Sequence, residues 1–294
     1  MRILVAVDTT PQSAYVVNEV ARLAGSTWAD VTLLGIESET PQNQPPLAAS
    51  DRPDERHPLV SALRSHHENF LSRFKVGESP YQETIFSQEL VEVQKGIWED
   101  LKVCRSAHKR LVSRIRPGNP ARAILLEARE LPCDLIVVGT LAAPDGGEIS
   151  RSVKKVIRET DASVLMVSEA KQPRRIVACL DHDQVSQPSL EMINQMVTLY
   201  QADLEIVGLT GSDGLDKEVD RKMGQILKYY AANGINALVR LVAQSSLVSF
   251  AAQAARENLV ALWMGRQSLL RRLIPPKSVD RLLEAADASV LILR

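Results

Sequence analysis

Apolar residues fall in short unbroken runs, separated by polar turns and by stretches of helical period. Residues 3–7 (Ile-Leu-Val-Ala-Val) open the chain as one such run, and residues 176–180 (Ile-Val-Ala-Cys-Leu) form another. Continuous runs this short suit strands buried on both faces of a parallel sheet. A polar turn and a helical pattern follow each. In the first, Thr10 is placed to cap a helix that has Pro11 at its opening position and Val16, Val20 and Leu23 along its apolar stripe. Further strands are predicted at 31–36, 110–115, 135–138 and 164–167, and again at 204–209, 237–242, 260–264 and 290–293. Asn119 caps and Pro120 opens a helix reaching about residue 130, and Gln244-Ser245-Ser246 takes that place later in the chain. Final helices are predicted at 152–159 and 278–286. Strand and helix in alternation, with apolar strands, predict a parallel sheet clothed by helices.

The pattern is also a repeat. Asp-Ala-Ser-Val-Leu at 161–165 recurs at 287–291, an offset of 126. The same offset pairs Gly139 with Gly265 and Ser152-Val153 with Ser278-Val279. Near the start of each copy the offset is 173: Arg2 through Asp8 matches Arg175 through Asp181, and Gly35 matches Gly208. The difference of 47 residues places an insertion in the first copy, spanning about 38–109. The expected organisation is a first domain 1–168 with that insertion, a polar linker 169–173, and a second domain 174–294. The insertion begins with a polar, Pro-rich stretch, 40–56, that reads as a loop. Leu59, Leu63, His66, Phe70 and Phe74 then recur at helical spacing. Leu90, Val93, Ile97, Leu101 and Cys104 read as one face of a second helix with Gly96 inside it. That second helix is expected to match the helix at 216–232 in the later copy, leaving the first as the addition.

Composition narrows the function. At 294 residues the chain has room for about two domains, and 45% apolar with 24% charged residues describes a globular protein. Lys and Arg number 35 against 36 Asp and Glu, so the basic excess of a nucleic-acid binder is missing. Aromatics at 4% give little for stacking on single strands, so no nucleic-acid partner is expected. No apolar run of about 18 residues occurs, and Met-Arg-Ile-Leu-Val-Ala-Val-Asp at the start lacks the pattern of a signal peptide; a cytoplasmic protein without a membrane span is expected. Cys104, Cys133 and Cys179 are odd in number and widely spaced, and they read as small buried apolar residues. His57, His66, His67, His108 and His182 lack metal-ligand spacing, so no metal is expected, and His66 reads as a packed histidine. P-loop, dinucleotide-binding and nucleophile-elbow motifs are absent, and no catalytic residue is assigned.

Several features occur in a fixed order. Val-Ala-Val-Asp8 and Ala-Cys-Leu-Asp181 each end a first strand, and Gly118-Asn119-Pro120-Ala121 precedes Asp134-Leu-Ile-Val-Val-Gly139. Ser152-Val153 opens a helix leading to Ala-Ser-Val-Leu-Met-Val at 162–167, and a basic-apolar loop at 270–279 precedes the last helix. This set resembles the universal stress protein family in its tandem two-domain form, over nearly the whole chain except 38–56 and the extra helix. The resemblance implies two doubly wound five-stranded parallel α/β sheets. It also implies an intrachain pseudo-dimer in which 164–167 pairs with 290–293, covering two sheet edges with each other. A further homodimer is left open.

ATP-binding members of that family resemble Gly-x-x-Gly-(nine residues)-Gly-Ser/Thr after the fourth strand. Glycines admit a phosphate close to the backbone, and amides at the helix start bind it. The first glycine is present as Gly139 and Gly265. The second position reads Ala142 and Ser268, the third Arg151 and Lys277, and the spacing is one residue short in both copies. Two readings stay open: an anion or adenine nucleotide such as ATP held by Arg151-Ser152-Val153 or Lys277-Ser278-Val279, or serines that cap helices beside solvated basic residues. The resemblance places Asp8 and Asp181 near an adenosine moiety, whereas by themselves they read equally as turn residues. Ala6, Ile36 and Val138, with Cys179, Leu209 and Met264, are expected to line the same crevices. The resemblance implies a non-enzymatic stress-response regulator that binds a small anionic ligand or a protein partner at a degenerate nucleotide site. An ATP-binding, weakly hydrolysing member and a pure protein-interaction scaffold are the alternatives.

Overall fold

The computed structural model describes residues 1–37, 57–75, 79–81, 84–105, 108–139, 151–168, 172–180, 185–211, 214, 217–265 and 268–294, without the side chains of 84–87 and 103–105. The Pro-rich stretch up to residue 56, Ala142, most of the linker, Asp181 and His182 therefore lie outside the described residues. Contacts group the rest into two units, one of residues up to 139 with 151–162, the other from 163 to 294.

The first unit contains β1 (Arg2–Val7), α1 (Pro11–Thr27), β2 (Asp30–Glu37), α2 (Pro58–Leu71), β3 (Thr84–Gln94), β4 (Ile97–Arg105), β5 (Leu111–Pro117), α3 (Pro120–Glu130), β6 (Leu135–Gly139) and α4 (Arg151–Glu159). Strand β1 lies between β2 and β6 and is parallel to both, and β5 continues the parallel ladder beyond β2. Leu4, Val5, Leu33, Leu34, Ile136 and Val137 are buried along these strands, as continuous apolar runs require. Helix α1 packs on α2, and α3 on α4. Pro11 opens α1, and the Asn119 side chain accepts from the Arg122 N–H at the start of α3, both as the sequence predicts.

The insertion departs from expectation. Residues 90–104 form no helix; β3 and β4 are an antiparallel hairpin. Gly96 sits at its turn with φ +76°, a conformation glycine adopts without strain. Of the supposed helical stripe, Leu90 and Ile97 are buried while Val93 and Leu101 are exposed. Strand β4 then runs antiparallel along the outer side of β5, with Trp98 opposite Ile115 and Glu99 opposite Arg114. The helix shared by the two copies is α2, and the hairpin is the addition. Helix α2 packs on β2 and β5, and a Cβ on Gly35 of β2 would come within 2.9 Å of Leu63 Cδ1.

Arg114 and Arg116 of β5 meet three carboxylates from two elements, β4 and α3. Arg114 pairs with Glu99 at 2.6 Å and with Glu127 at 3.0 Å, while Arg116 pairs with Glu127 at 2.9 Å and also with Glu130. Glu127 of α3 is fully buried, so its charge is tolerable only with both guanidinium groups in place. On the opposite side of β5, His67 of α2 is buried with Nδ1 3.4 Å from Ser113 Oγ. Burial, reinforced by the nearby Lys102 charge, pushes the His67 pKa down to about 3.

The second unit contains β7 (Ser163–Val167), β8 (Arg175–Cys179), α5 (Gln187–Tyr200), β9 (Asp203–Thr210), α6 (Lys217–Ala232), β10 (Ala237–Ala243), α7 (Leu247–Ala254), β11 (Leu259–Trp263), α8 (Leu269–Leu273), α9 (Pro276–Ala285) and β12 (Val290–Leu293). Strand β8 lies between β9 and β11, with β10 beyond β9 and β12 beyond β11, all parallel. Strand β7, which the repeat assigns to the first copy, runs antiparallel to β12 with Leu165 opposite Leu291. This is the pairing of 164–167 with 290–293 that the family resemblance implies. Helix α6 packs on β9 and β10 as α2 does on β2 and β5, with Gly208 as the close approach: a Cβ there would meet Met223 Sδ at 2.6 Å.

Two outcomes follow. Glu127→Leu leaves two arginines without their shared carboxylate and lowers unfolding free energy by about 3 kcal/mol in urea titration; an unchanged midpoint would remove the network from the account. His67 is neutral when folded and takes a proton below about pH 6.5 when unfolded, so its contribution is present above that pH and lost as pH falls toward 3. Between about pH 7 and pH 5 the natural chain loses roughly 2 kcal/mol more stability than His67→Leu. Equal losses in paired urea titrations would refute this.

Candidate functional site

Strand order reverses at β1, which carries β2 on one side and β6 on the other. In open parallel sheets such a reversal leaves a crevice outside the carboxyl ends of the two strands. Here it is lined by Ala6, Val7 and Asp8 at the end of β1, Ile36 of β2, and Val138 and Gly139 of β6. The N-terminal two turns of three helices complete it: Gln12, Ser13 and Val16 of α1, Pro120 and Ile124 of α3, and Ser152 and Val153 of α4. Its volume is about 120 Å³, below the roughly 300–1,000 Å³ of a pocket that encloses a whole small molecule.

Asp8 is tied into the turn. One carboxylate oxygen accepts from the Thr10 N–H at 2.9 Å, the Thr10 hydroxyl at 2.6 Å and the Ser13 hydroxyl at 2.7 Å. The Asp8 N–H donates to Ser13 Oγ at 2.9 Å. His66 of α2 donates from Nε2 to the Asp8 carbonyl at 3.0 Å, which sets its tautomer. His66 is thus the packed histidine the sequence predicts, and it steadies the end of β1. Thr10 makes no side-chain cap of its own; its hydroxyl donates to Asp8 instead.

Six of the seven first-copy candidates converge on this crevice: Asp8, Ile36, Val138, Gly139, Ser152 and Val153. Arg151 does not line it and is exposed at the first position of α4. Ser152 lies one residue inside α4, so it is no N-cap. Gln12, Ser13, Val16, Pro120 and Ile124 escaped the sequence reading; their signal is that each sits in a helical turn directly after a β1 or β5 end.

The second copy arranges its candidates differently. Leu209, Met264, Gly265 and Val279 are buried, Ser278 is half-buried and Lys277 is exposed. Helix α9 starts at Pro276, two residues before Ser278, so Ser278 is no cap either. The indole of Trp263 lies against Gly265, where an added Cβ would meet Trp263 Cζ2 at 2.7 Å. The loop after β11 is fastened by Ser268 Oγ donating to the Trp263 carbonyl at 2.9 Å and by Arg294 donating to the Met264 carbonyl. Burial pushes the Cys179 thiol up to about 12 and the Cys133 thiol up to about 11, so both stay protonated at neutral pH. Among the described residues no helix is long and apolar enough to cross a membrane.

Residues 1–168 match the family model of the Universal stress protein family. Among solved structures, a functionally unknown protein of Pseudomonas aeruginosa PAO1 is similar with a TM-score of 0.61 at 15% identity, over 99% of this chain and 92% of that one. A universal stress protein of Archaeoglobus fulgidus is similar with a TM-score of 0.58 at 12% identity, over 100% of this chain and 96% of that one. No curated protein matches the chain.

Because one Asp8 oxygen holds three donors of the turn, Asp8→Ala lowers unfolding free energy by about 1–2 kcal/mol. Urea titration showing no loss would contradict that structural role.

Proposed function

The chain belongs to the universal stress protein family, and on that footing we propose that it is a non-enzymatic stress-response regulator whose first unit binds an adenine nucleotide in the β1–β6 crevice. The observation that carries this reading is the crevice itself: an apolar slot that opens onto the first turn of α4. The flat base sits among Ala6, Ile36 and Val138, and the phosphates lie outward against the α4 amides at Ser152 and Val153. Arg151, exposed at the same helix start, meets them from solvent. The slot admits the base but not a whole nucleotide, so affinity is shared between a buried ring and a surface-held phosphate.

The repeat offsets support two tandem copies, 1–168 and 174–294, joined by 169–173. We assign the ligand to the first. In the second, the Trp263 indole against Gly265 and the fastened loop favour a scaffolding part. No catalytic residue is assigned. The carboxylate of Asp8 is held by the turn, and the Cys133 and Cys179 thiols stay protonated. A cytoplasmic setting fits the reading.

Calorimetric titration of the full chain with AMP and ATP tests it. The reading expects one saturable site per chain, weakened about tenfold or more by Ser152→Glu, which sets a carboxylate at the helix start, and by Ile36→Glu in the slot. No heat of binding, or binding that both variants leave unchanged, would overturn it. Nucleotide consumed during the titration would return the enzyme reading to the front.

A further inference from the structure

Strand β10 is the outer strand of the second unit: among the described residues its one ladder is with β9. It is also unusually bare. Leu238 is 60% exposed, Leu241 54% and Val239 39%. Long apolar edges are ordinarily blunted by proline, bulges or several charges. Over 237–243 this edge has a single charged residue, Arg240, and no proline.

The first copy shows what covers such an edge. By the offset of 126, Arg114 and Ile115 of β5 correspond to Arg240 and Leu241 of β10. Strand β4 lies antiparallel on β5, with Trp98 opposite Ile115 and Glu99 opposite Arg114. Between β4 and the packed α2, Ile115 is 1% exposed, against 54% for Leu241. Among the described residues the second copy has no hairpin at this place, and by the repeat offsets the added residues fall in the first copy alone.

Charge points the same way. Arg114 has two carboxylate partners, Glu99 and Glu127. The residue corresponding to Glu127 is Gln253, which is neutral. Arg240 pairs with Glu205 and stands 5.8 Å from the Phe250 ring centre, which orients its guanidinium. Beside it is a polar hollow of about 460 Å³ whose lining includes Arg175, Arg240 and Arg256 against Glu205 and Glu257. One acidic side chain arriving at the edge would fill the place that Glu99 fills on β5.

We propose that the free edge of β10 is a docking strand for an extended segment of a partner protein, added antiparallel, with an acidic residue opposite Arg240 and a bulky apolar residue opposite Leu241. Main-chain hydrogen bonds give such an addition its affinity and the side-chain pairs its register. A second copy of this chain is the poorer occupant. Two β10 strands paired about their midpoint would set Arg240 opposite Arg240, and like charges directly opposed destabilise a ladder.

The probe is a capped, fluorescein-labelled peptide of residues 96–103, the segment that covers the corresponding edge, measured by anisotropy against the full chain. Saturable binding is expected. It should weaken roughly tenfold when the peptide carries Glu99→Lys and when the protein carries Leu241→Asp. Circular dichroism checks that the variant is folded, and Leu238→Lys repeats the test from the other face of the strand. Absence of binding would overturn the proposal. So would binding that neither Leu241→Asp nor Leu238→Lys weakens, since a peptide displacing the chain's own β4 from β5 depends on Glu99 against Arg114 but ignores both residues of β10. A dimer in sedimentation velocity that Leu241→Asp disperses would assign the edge to a second copy and overturn it equally.

Discussion

Strand β1 is the constraint on which the first unit depends. It is bonded in parallel to β2 on one side and to β6 on the other, so the crossovers that leave it and return to it go opposite ways. The reversal parts the helices at the carboxyl end of the strand and leaves the crevice. Ile3, Leu4, Val5 and Val7 are all buried, so none of these four can turn outward without exposing apolar surface. Asp8, the first polar position after the run, is where the chain leaves the sheet. Its carboxylate gathers Thr10 and Ser13, and its carbonyl takes His66, so the rim of the crevice is built by the same turn that starts α1.

The copies share this plan and differ in what covers it. Gly35 and Gly208 occupy the same place and give α2 and α6 the same close approach to their strands. The edges are treated differently. In the first copy a hairpin shields β5 and completes a buried ion network through Glu99; in the second the corresponding strand keeps three exposed apolar residues. The sites differ too, with the Trp263 ring brought against Gly265 where the first copy keeps an open crevice beside Gly139.

The parallel strands were legible because strands buried on both faces read as unbroken apolar runs, which the exposed helices between them cannot imitate. Caps were legible where a short side chain precedes proline, as at Asn119. The hairpin was not. Leu90, Val93, Ile97 and Leu101 are spaced three and four apart, which imitates a helix, yet two of them face solvent. Lys95-Gly96 between β-branched residues was the competing signal, and the positive φ of Gly96 shows that the turn prevailed. In the site, residues at strand ends were legible because a strand's end fixes where its side chains go. The contributions of α1 and α3 depend on how each helix is rotated on the sheet, which periodicity leaves open. The same rotation separates Arg151, exposed, from Ser152 and Val153 in the crevice.

The most direct test of the central claim is a crystal structure of the full chain grown with a saturating adenine nucleotide. The account predicts density for the base among Ala6, Ile36 and Val138 in the first unit, with phosphate at the first turn of α4. Nucleotide bound at any other place, or an open β1–β6 crevice in crystals that hold the nucleotide elsewhere, would contradict it.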